Sequence, residues 1–307
     1  MEDSMGFCNP LTGICNPLHH ATKALLLGLA LFAVPAHCDD TPTAAAENEL
    51  VLGIFPRRAA VVTKKMFTPL ANYLSQQLGR PVRLETTHDF VSFWDNVDRQ
   101  RYDIVHFNQY HYVRSHKTRG YRVILKNEEH GRSTIASTLF VRKDSGIHSI
   151  MELKGRKIVF GGGKTAMLSY ITARHLLEAG GLHEGDYLTT FAINPLRATI
   201  AVFYQQASAA GAGDVVVRLP RVRQEIDVSE LKALATSQPM AHLPWAVKQN
   251  MSKQTRDRVQ NILSQAKRST QGRKALSAAR LSNLIIATDA EYDPHREIIR
   301  SVLGENY

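Results

Sequence analysis

The stretch "RKIVFGGGKTAMLSY" (Arg156–Tyr170) contains the local pattern that decides the fold. An apolar run is followed by three glycines, by a Lys-Thr pair and by a second apolar run with helical spacing. This order predicts a buried strand, a tight turn and the first turns of a helix, which is the repeating unit of α/β proteins. The three glycines also make the stretch similar to a phosphate-binding loop. The question is which anion such a loop would bind.

The spacing argues against a nucleotide. A Walker A loop needs a glycine five residues before the glycine that precedes Lys-Ser or Lys-Thr. Counting back from Gly163 leads to Ile158, which lies inside the predicted strand. The loop is therefore too short to surround a triphosphate.

Two interpretations of the glycines remain open. In the first, backbone N–H groups and the helix N-terminus bind a small oxyanion. In the second, the glycines only permit tight packing of strand on helix. We favour the first, because a lysine at a helix N-terminus is unfavourable unless an anion is near. The residues of this predicted site are Gly162, Gly163, Lys164, Thr165 and Ala166.

Strands and amphipathic helices alternate on both sides of the opening stretch. Strands are predicted at "ELVLGIFP", "YDIVHFN" and "GDVVVRL" (213–219), and the tail after "HLPWAVKQ" is expected to end in helices that return to the first lobe. We predict an α/β fold of two lobes, each a mainly parallel sheet flanked by helices, joined by two crossover strands. Lobe 1 would comprise 49–136 and 242–307, and lobe 2 would comprise 137–241.

The N-terminal segment predicts export. A single lysine, Lys23, precedes the apolar run Ala24–Val34, which is shorter than the ~20 residues that a membrane-spanning helix needs. Residues 1–36 therefore fit a secretory signal, and 37–48 a polar linker. A buried core helix is the alternative interpretation of the apolar run. A lipid anchor at Cys38 is less well supported, because His37 occupies the place of a small residue.

Composition and charge narrow the class of partner. The chain has 38 Lys and Arg residues against 28 Asp and Glu residues, a net charge of +10, which favours an anionic partner. The basic clusters near the C-terminus lack interleaved aromatic residues, so nucleic-acid binding is not predicted. Two of the three cysteines lie in the predicted signal, which excludes a disulfide scaffold and a cysteine-ligated metal site from the mature chain.

A second candidate site follows the strand in "VHFNQYHYV". Side chains at the carboxyl end of a parallel strand line the crevice where α/β proteins bind ligands. Phe107, Asn108 and Tyr110 would offer an apolar wall, an amide and a phenol. His106 and His111 have no third metal ligand at a suitable spacing, so we predict no metal.

Two further positions carry candidate cations. In "FPRRAAV", Arg57 or Arg58 would follow the first strand, and Arg218 would follow another strand. The guanidinium group of any of these arginines can bind an oxyanion through paired N–H groups. The alternative for each is a solvated side chain on the surface. The sequence shows no carboxylate pair, no Ser/His/Asp arrangement and no reactive cysteine, so we predict neither an enzyme nor a cofactor.

The arrangement resembles the periplasmic solute-binding proteins of phosphate, phosphite and phosphonate ABC transporters, a branch of the type II periplasmic-binding fold. The resemblance covers about residues 49 to 303. It is carried by "LGIFP" with "FTPLANYLSQQLGRPVRL", by "RYDIVHFNQYHYV", by "STIASTLFVRKDSGIHSIMELKGRKIVFGG" and by "HLPWAVKQNMSKQTRDRVQNIL".

The resemblance implies a ligand held between two lobes, partly by a Ser-Thr-Ser-like triplet that reads Lys164-Thr165-Ala166 here. Asn108-Gln109 replaces the family's Gly-Pro, and Gly161-Gly162 replaces its Asp-Pro. These changes, with no carboxylate in the segments, predict an oxyanion without an amine. The resemblance further implies a monomer in the periplasm that delivers its ligand to an inner-membrane ABC permease. The alternative is a sensor or accessory subunit with the same clamp and an altered or lost ligand.

Overall fold

The computed structural model describes residues 49–307, so the predicted signal, the linker and Cys38 lie outside the described residues. In chain order the strands are β1 (Leu50–Ile54), β2 (Val82–Glu85), β3 (Ile104–His106), β4 (Arg122–Glu128), β5 (Thr134–Ile135), β6 (Ser137–Arg142), β7 (Lys157–Gly161), β8 (Leu188–Ala192), β9 (Ala209–Gly213), β10 (Leu231–Thr236), β11 (Met240–Ala241), β12 (Pro244–Val247) and β13 (Asn283–Ile286). The α-helices are α1 (Ala60–Leu78), α2 (Phe90–Asp98), α3 (Gln109–Arg119), α4 (Ala173–Ala179), α5 (Pro195–Phe203), α6 (Pro220–Glu225), α7 (Lys253–Ser264), α8 (Thr270–Ala278) and α9 (Asp293–Leu303).

Lobe 1 is built on a six-stranded sheet in the order β13-β4-β12-β3-β1-β2. Helix α1 shows why the sequence folds this way, because Phe67, Leu70, Leu74 and Leu78 recur at helical spacing and are buried against the sheet. The helix ends at Gly79, which adopts the left-handed conformation typical of a helix C-terminus. Helices α7 and α8, from the C-terminal part of the chain, pack against α1.

Lobe 2 is built on a five-stranded sheet in the order β10-β6-β9-β7-β8. Strand β7, which lies between β9 and β8, is the apolar run of the opening stretch, with Ile158, Val159 and Phe160 buried. The helix after β7 begins with a π-helical segment, Met167–Thr172, and continues as α4.

The predicted two-lobed α/β fold is confirmed, whereas the expectation of mainly parallel sheets is wrong. In lobe 1, β1 is parallel to β2 and β3, but β12 lies between β3 and β4 and is antiparallel to both. In lobe 2, β7 is parallel to β8 and β9, and β6 is antiparallel to β9 and β10. In lobe 1, the strands formed after the chain returns from lobe 2, β12 and β13, run opposite to their neighbours. In lobe 2, the first strand, β6, runs opposite to β9 and β10.

The last predicted strand of lobe 2 is displaced along the chain. "GDVVVRL" does not form it: β9 is the preceding "AAGAG", and Val216–Arg218 is a short 3-10 turn. Packing explains why "AAGAG" forms this strand, since a Cβ atom added to Gly211 would lie 2.3 Å from the carbonyl oxygen of Ser169 in the π-helical segment. Only very small residues fit beneath that segment. The C-terminal tail also contributes β13, which the sequence pattern did not predict.

Two connecting segments join the lobes and pair with each other. Strands β5 and β11 are antiparallel, with Ile135 opposite Met240 and Thr134 opposite Ala241. The predicted lobe boundaries fall between β5 and β6 and directly after β11, and they stay a prediction. Within residues 49–307, no helix combines the length and the apolar character needed to span a membrane.

Candidate functional site

A cleft of about 230 Å³ lies between the two lobes. Lobe 1 and the connecting segments line it with Phe55, Pro56, Arg57, Arg58, Phe90, Asn108, Gln109, Ile135 and Leu243. Lobe 2 lines it with Gly161, Gly162, Gly163, Thr165, Ala166, Met167, Leu168, Ser169, Ile193, Asn194, Pro195, Leu196, Gly213, Val215, Val216 and Leu219. The cleft is therefore bounded by the carboxyl ends of β1, β3, β7, β8 and β9, where α/β proteins bind ligands.

The glycine loop after β7 forms part of the cleft wall. Gly162 has a φ of +93°, a backbone conformation that side-chain-bearing residues rarely adopt. Ala166 donates its N–H to the carbonyl of Gly163 at 2.9 Å, which closes the turn. In the described part of the chain, the N–H groups of Gly163, Lys164 and Thr165 make no hydrogen bond. The loop thus offers backbone donors beside a helix N-terminus, as an anion site requires.

Two adjacent arginines follow β1 on the opposite wall. Arg57 lies 3.8 Å from the carboxylate of Glu129, a long ion pair. The half-buried guanidinium of Arg58 makes no hydrogen bond and no ion pair within 4 Å among residues 49–307, and the Glu129 carboxylate acts on it only at longer range. Burial, and secondly the neighbouring charge of Arg57, lowers the pKa of Arg58 to about 10. Arg58 still carries its charge at neutral pH, so an anion in the cleft would gain an otherwise unpaired cation.

Asn108 connects the two walls. Its side-chain oxygen accepts a hydrogen bond from the N–H of His111 at 2.8 Å and so caps α3. Its side-chain nitrogen donates to the carbonyl of Thr165 at 3.3 Å, across the cleft. One amide therefore fixes a helix start in lobe 1 and contacts the glycine loop of lobe 2.

The structure brings six of the ten predicted site residues to the cleft: Arg57, Asn108, Gly162, Gly163, Thr165 and Ala166. The other four lie elsewhere. Lys164 and Arg218 are exposed and outside the cleft lining. Phe107 is fully buried against Phe93 and Tyr121.

Tyr110 is the fourth of these residues, and it belongs to the packing of the C-terminus. Its hydroxyl donates to the carboxylate of Glu305 at 2.8 Å, and its ring packs against Tyr307. Burial, and then the hydrogen bond to Glu305, raises the pKa of Tyr110. The roles of all ten residues stay predictions.

Several lining residues were not predicted from the sequence. The start of α5 contributes Ile193, Asn194, Pro195 and Leu196, and the turn after β9 contributes Val215 and Val216. Asn194 caps α5 by accepting from the N–H of Arg197 at 3.0 Å. The Asn-Pro pair after a strand is a readable signal of a helix start. That it faces the glycine loop follows only from the pairing of β7 with β8.

The two histidines considered as metal ligands lie in aromatic surroundings. His106 stacks on Trp245 with ring centroids 4.6 Å apart, and His111 lies edge-on to Trp94 at 4.1 Å. Burial lowers the pKa of both imidazoles well below the usual range. No group of three or more metal-ligating side chains occurs in the part of the chain that the structure describes.

Comparison with known families gives one match over most of the chain. The family model of the periplasmic substrate-binding protein of phosphonate ABC transporters matches residues 52–292. That family consists of binding proteins that serve transporters, and its members are not enzymes.

Solved structures show the same architecture. PhnD1 of Prochlorococcus marinus, in complex with methylphosphonate, matches with a TM-score of 0.73 at 14% identity, covering 84% of this chain and 99% of that chain. A binding-protein component of an ABC phosphonate transporter from Pseudomonas aeruginosa matches with a TM-score of 0.69 at 16% identity, covering 83% and 86%. A Xanthomonas citri protein bound to ATP matches with a TM-score of 0.72 at 16% identity, covering 84% and 98%. These similarities establish the type II periplasmic-binding fold.

Proposed function

Because the chain belongs to the family of periplasmic substrate-binding proteins of phosphonate ABC transporters, we propose that it captures a small oxyanion of the phosphonate, phosphite or phosphate class between its two lobes. The captured anion is then presented to a permease in the inner membrane. The protein acts as an exported monomer in this proposal, and the anion leaves it chemically unchanged.

The observation that carries the proposal is the unpaired cation opposite free backbone donors. Within residues 49–307, Arg58 lines the cleft with no ion pair within 4 Å, and the loop Gly163–Thr165 offers N–H groups without acceptors. A hydrogen bond from a charged donor to an oxyanion is stronger than one between neutral groups. An anion between these walls satisfies both sets of donors at once.

Movement of the lobes about the paired connections β5 and β11 is the mechanism that fits this geometry. When the lobes close on the anion, water leaves the cleft, and the charge-assisted hydrogen bonds strengthen in the lower dielectric. The amide of Asn108, which contacts Thr165 across the cleft, lies where it can respond to that closure. A permease would then distinguish the closed form from the open one.

Isothermal titration calorimetry with methylphosphonate, phosphite, phosphate and sulfate tests the proposal. We expect at least one of the phosphorus oxyanions to bind, and we expect Thr165→Ala and Lys164→Ala to weaken its binding by about 1–3 kcal/mol for each charge-assisted hydrogen bond lost. Thr165 lines the cleft, whereas Lys164 would have to reach the anion on closure. Absence of binding for every phosphorus oxyanion would contradict the proposed function.

A further inference from the structure

The charged side chains of the cleft lining are confined to lobe 1. Among the lining residues of the described chain, the only charged side chains are Arg57 and Arg58, both in lobe 1. The lobe 2 lining contains no charged side chain. No aspartate or glutamate lines the cleft on either side within residues 49–307.

The lobe 2 wall is mostly hydrocarbon. Ile193, Leu196, Val216 and Leu219 line it, and Ile135 and Leu243 extend it at the connecting segments. Ile193 is 90% exposed at the start of the β8–α5 connection, whereas Val216 is only 3% exposed. An inorganic oxyanion gains nothing from such a wall, because its polar surface loses water there without finding donors.

The volume of the cleft also favours a ligand that carries a hydrocarbon group. A protein cavity of about 150 Å³ lined by aliphatic and aromatic side chains accommodates benzene. The cleft, at about 230 Å³, has room for a hydrocarbon group of that size beside an anionic head. Phosphite or phosphate would leave the apolar wall in contact with water.

We infer that the cleft takes a phosphonate whose hydrocarbon substituent is larger than methyl, with the head between Arg58 and the N–H groups of Gly163–Thr165 and the substituent on the apolar wall of lobe 2. This inference rests on the proposed function and narrows its substrate class. The substituent is uncharged, since none of the described residues lining the cleft has a carboxylate to hold an ammonium group.

Calorimetric titration of the exported chain with phosphite, methylphosphonate and phenylphosphonate tests the inference. Each buried methylene-sized group contributes about a fourfold gain in affinity. We therefore expect phenylphosphonate to bind at least about tenfold more tightly than methylphosphonate. Phosphite should bind more weakly than either.

A variant pair tests the apolar wall itself. Ile193→Gln replaces hydrocarbon at an exposed lining position, so the fold should tolerate it. We expect its affinity for phenylphosphonate to fall about three- to tenfold, and its affinity for methylphosphonate to fall by a smaller factor. The matched control is Leu188→Gln, which lies on β8, is 62% exposed and is outside the cleft lining. An unchanged melting temperature of both variants shows that the fold is preserved.

The outcomes separate the two proposals. If methylphosphonate or phosphite binds as tightly as phenylphosphonate, the inference about the substituent is overturned while the proposed function stands. If Ile193→Gln and Leu188→Gln behave alike toward phenylphosphonate, the apolar wall is not the contact surface and the inference is again overturned. If none of the three anions binds, the proposed function itself fails.

Discussion

Lobe 1 and lobe 2 contribute unlike surfaces to one cleft. Lobe 1 supplies two arginines and two side-chain amides, whereas lobe 2 supplies a glycine loop and an aliphatic wall. Lobe 1 thus supplies the cationic side chains, and lobe 2 supplies backbone donors and hydrocarbon. Selectivity for the substituent of a ligand therefore depends mainly on lobe 2, whereas binding of its anionic head depends on both lobes.

The largest expected effect comes from removing the unpaired cation of lobe 1. Arg58→Gln should weaken methylphosphonate binding by about 1.5–3 kcal/mol, the cost of losing a hydrogen bond to a charged group. Calorimetry measures the loss. Arg300→Gln, at an exposed arginine on α9 outside the cleft lining, is the matched control and should bind like the unaltered protein. If both variants bind normally, the charge recognition assigned to lobe 1 is wrong.

The next expected effect is a loss of folding stability at acidic pH, which arises from buried histidines of lobe 1. His111 and His295 of lobe 1 are fully buried, and none of their ring nitrogens has a hydrogen-bond partner in the described residues. Burial holds the pKa of His295 at about 3 and that of His111 well below its usual range. The unfolded chain binds protons first as the pH falls, so stability is complete above about pH 6.5 and declines below it. Each such histidine should lower the free energy of unfolding by about 2 kcal/mol between pH 7 and pH 5.

Urea unfolding at a series of pH values checks this prediction. His295→Phe keeps the stacking on Tyr292 but removes the titrating group, so the decline with acid should become shallower. His183→Phe, at an exposed histidine of lobe 2, is the matched control substitution. Equal pH dependence in both variants would refute the role of the buried histidine.

An amine on the ligand should weaken its binding, because no carboxylate lines the cleft among the described residues. We expect 2-aminoethylphosphonate to bind about tenfold or more weakly than ethylphosphonate, a difference of about 1.4 kcal/mol. Its ammonium group would lose water without an acidic partner and would face Arg57 and Arg58. Competition calorimetry compares the two ligands directly. Comparable affinities would mean that a carboxylate reaches the ligand, which would weaken the contrast between the lobes.

The smallest effect concerns the amide that links the two walls. Asn108→Ala removes both the cap of α3 and the contact with Thr165, and should lower the free energy of unfolding by about 1 kcal/mol. Asn108→Asp keeps the cap acceptor but places a carboxylate against the Thr165 carbonyl. It should therefore keep the stability that comes from the cap, lose the hydrogen bond to Thr165 and weaken anion binding. Equal stability of the two variants in urea would show that the cap contributes little.

The sequence was most informative where a pattern is local. The helical spacing in α1 and the strand–glycine–helix order around Gly162 are visible in the chain, and the structure contains both. The strand β9 could not be predicted from the sequence, because "AAGAG" has a low intrinsic strand preference. Its small residues are required by the limited space beneath the π-helical segment, which only the structure shows.

Side-chain direction was less predictable than position along the chain. Arg57 and Arg58 are adjacent, and only the fold shows that, among residues 49–307, Arg57 has a carboxylate within 4 Å and Arg58 does not. Lys164 and Thr165 are adjacent as well, yet only Thr165 lines the cleft. The aliphatic wall was missed because Ile193, Val216 and Leu219 converge from separate connections after β8 and β9.

The neighbouring guanidinium groups of Arg57 and Arg58 also bear on how the protein behaves in solution. Their mutual repulsion makes the folded chain sensitive to whatever counter-ion the buffer provides. We expect the melting temperature to rise on exchange from a chloride to a phosphate buffer at equal ionic strength, since an anion bound only by the folded chain stabilises it by mass action. Phosphate-buffered preparations would then conceal weak ligands by competing with them.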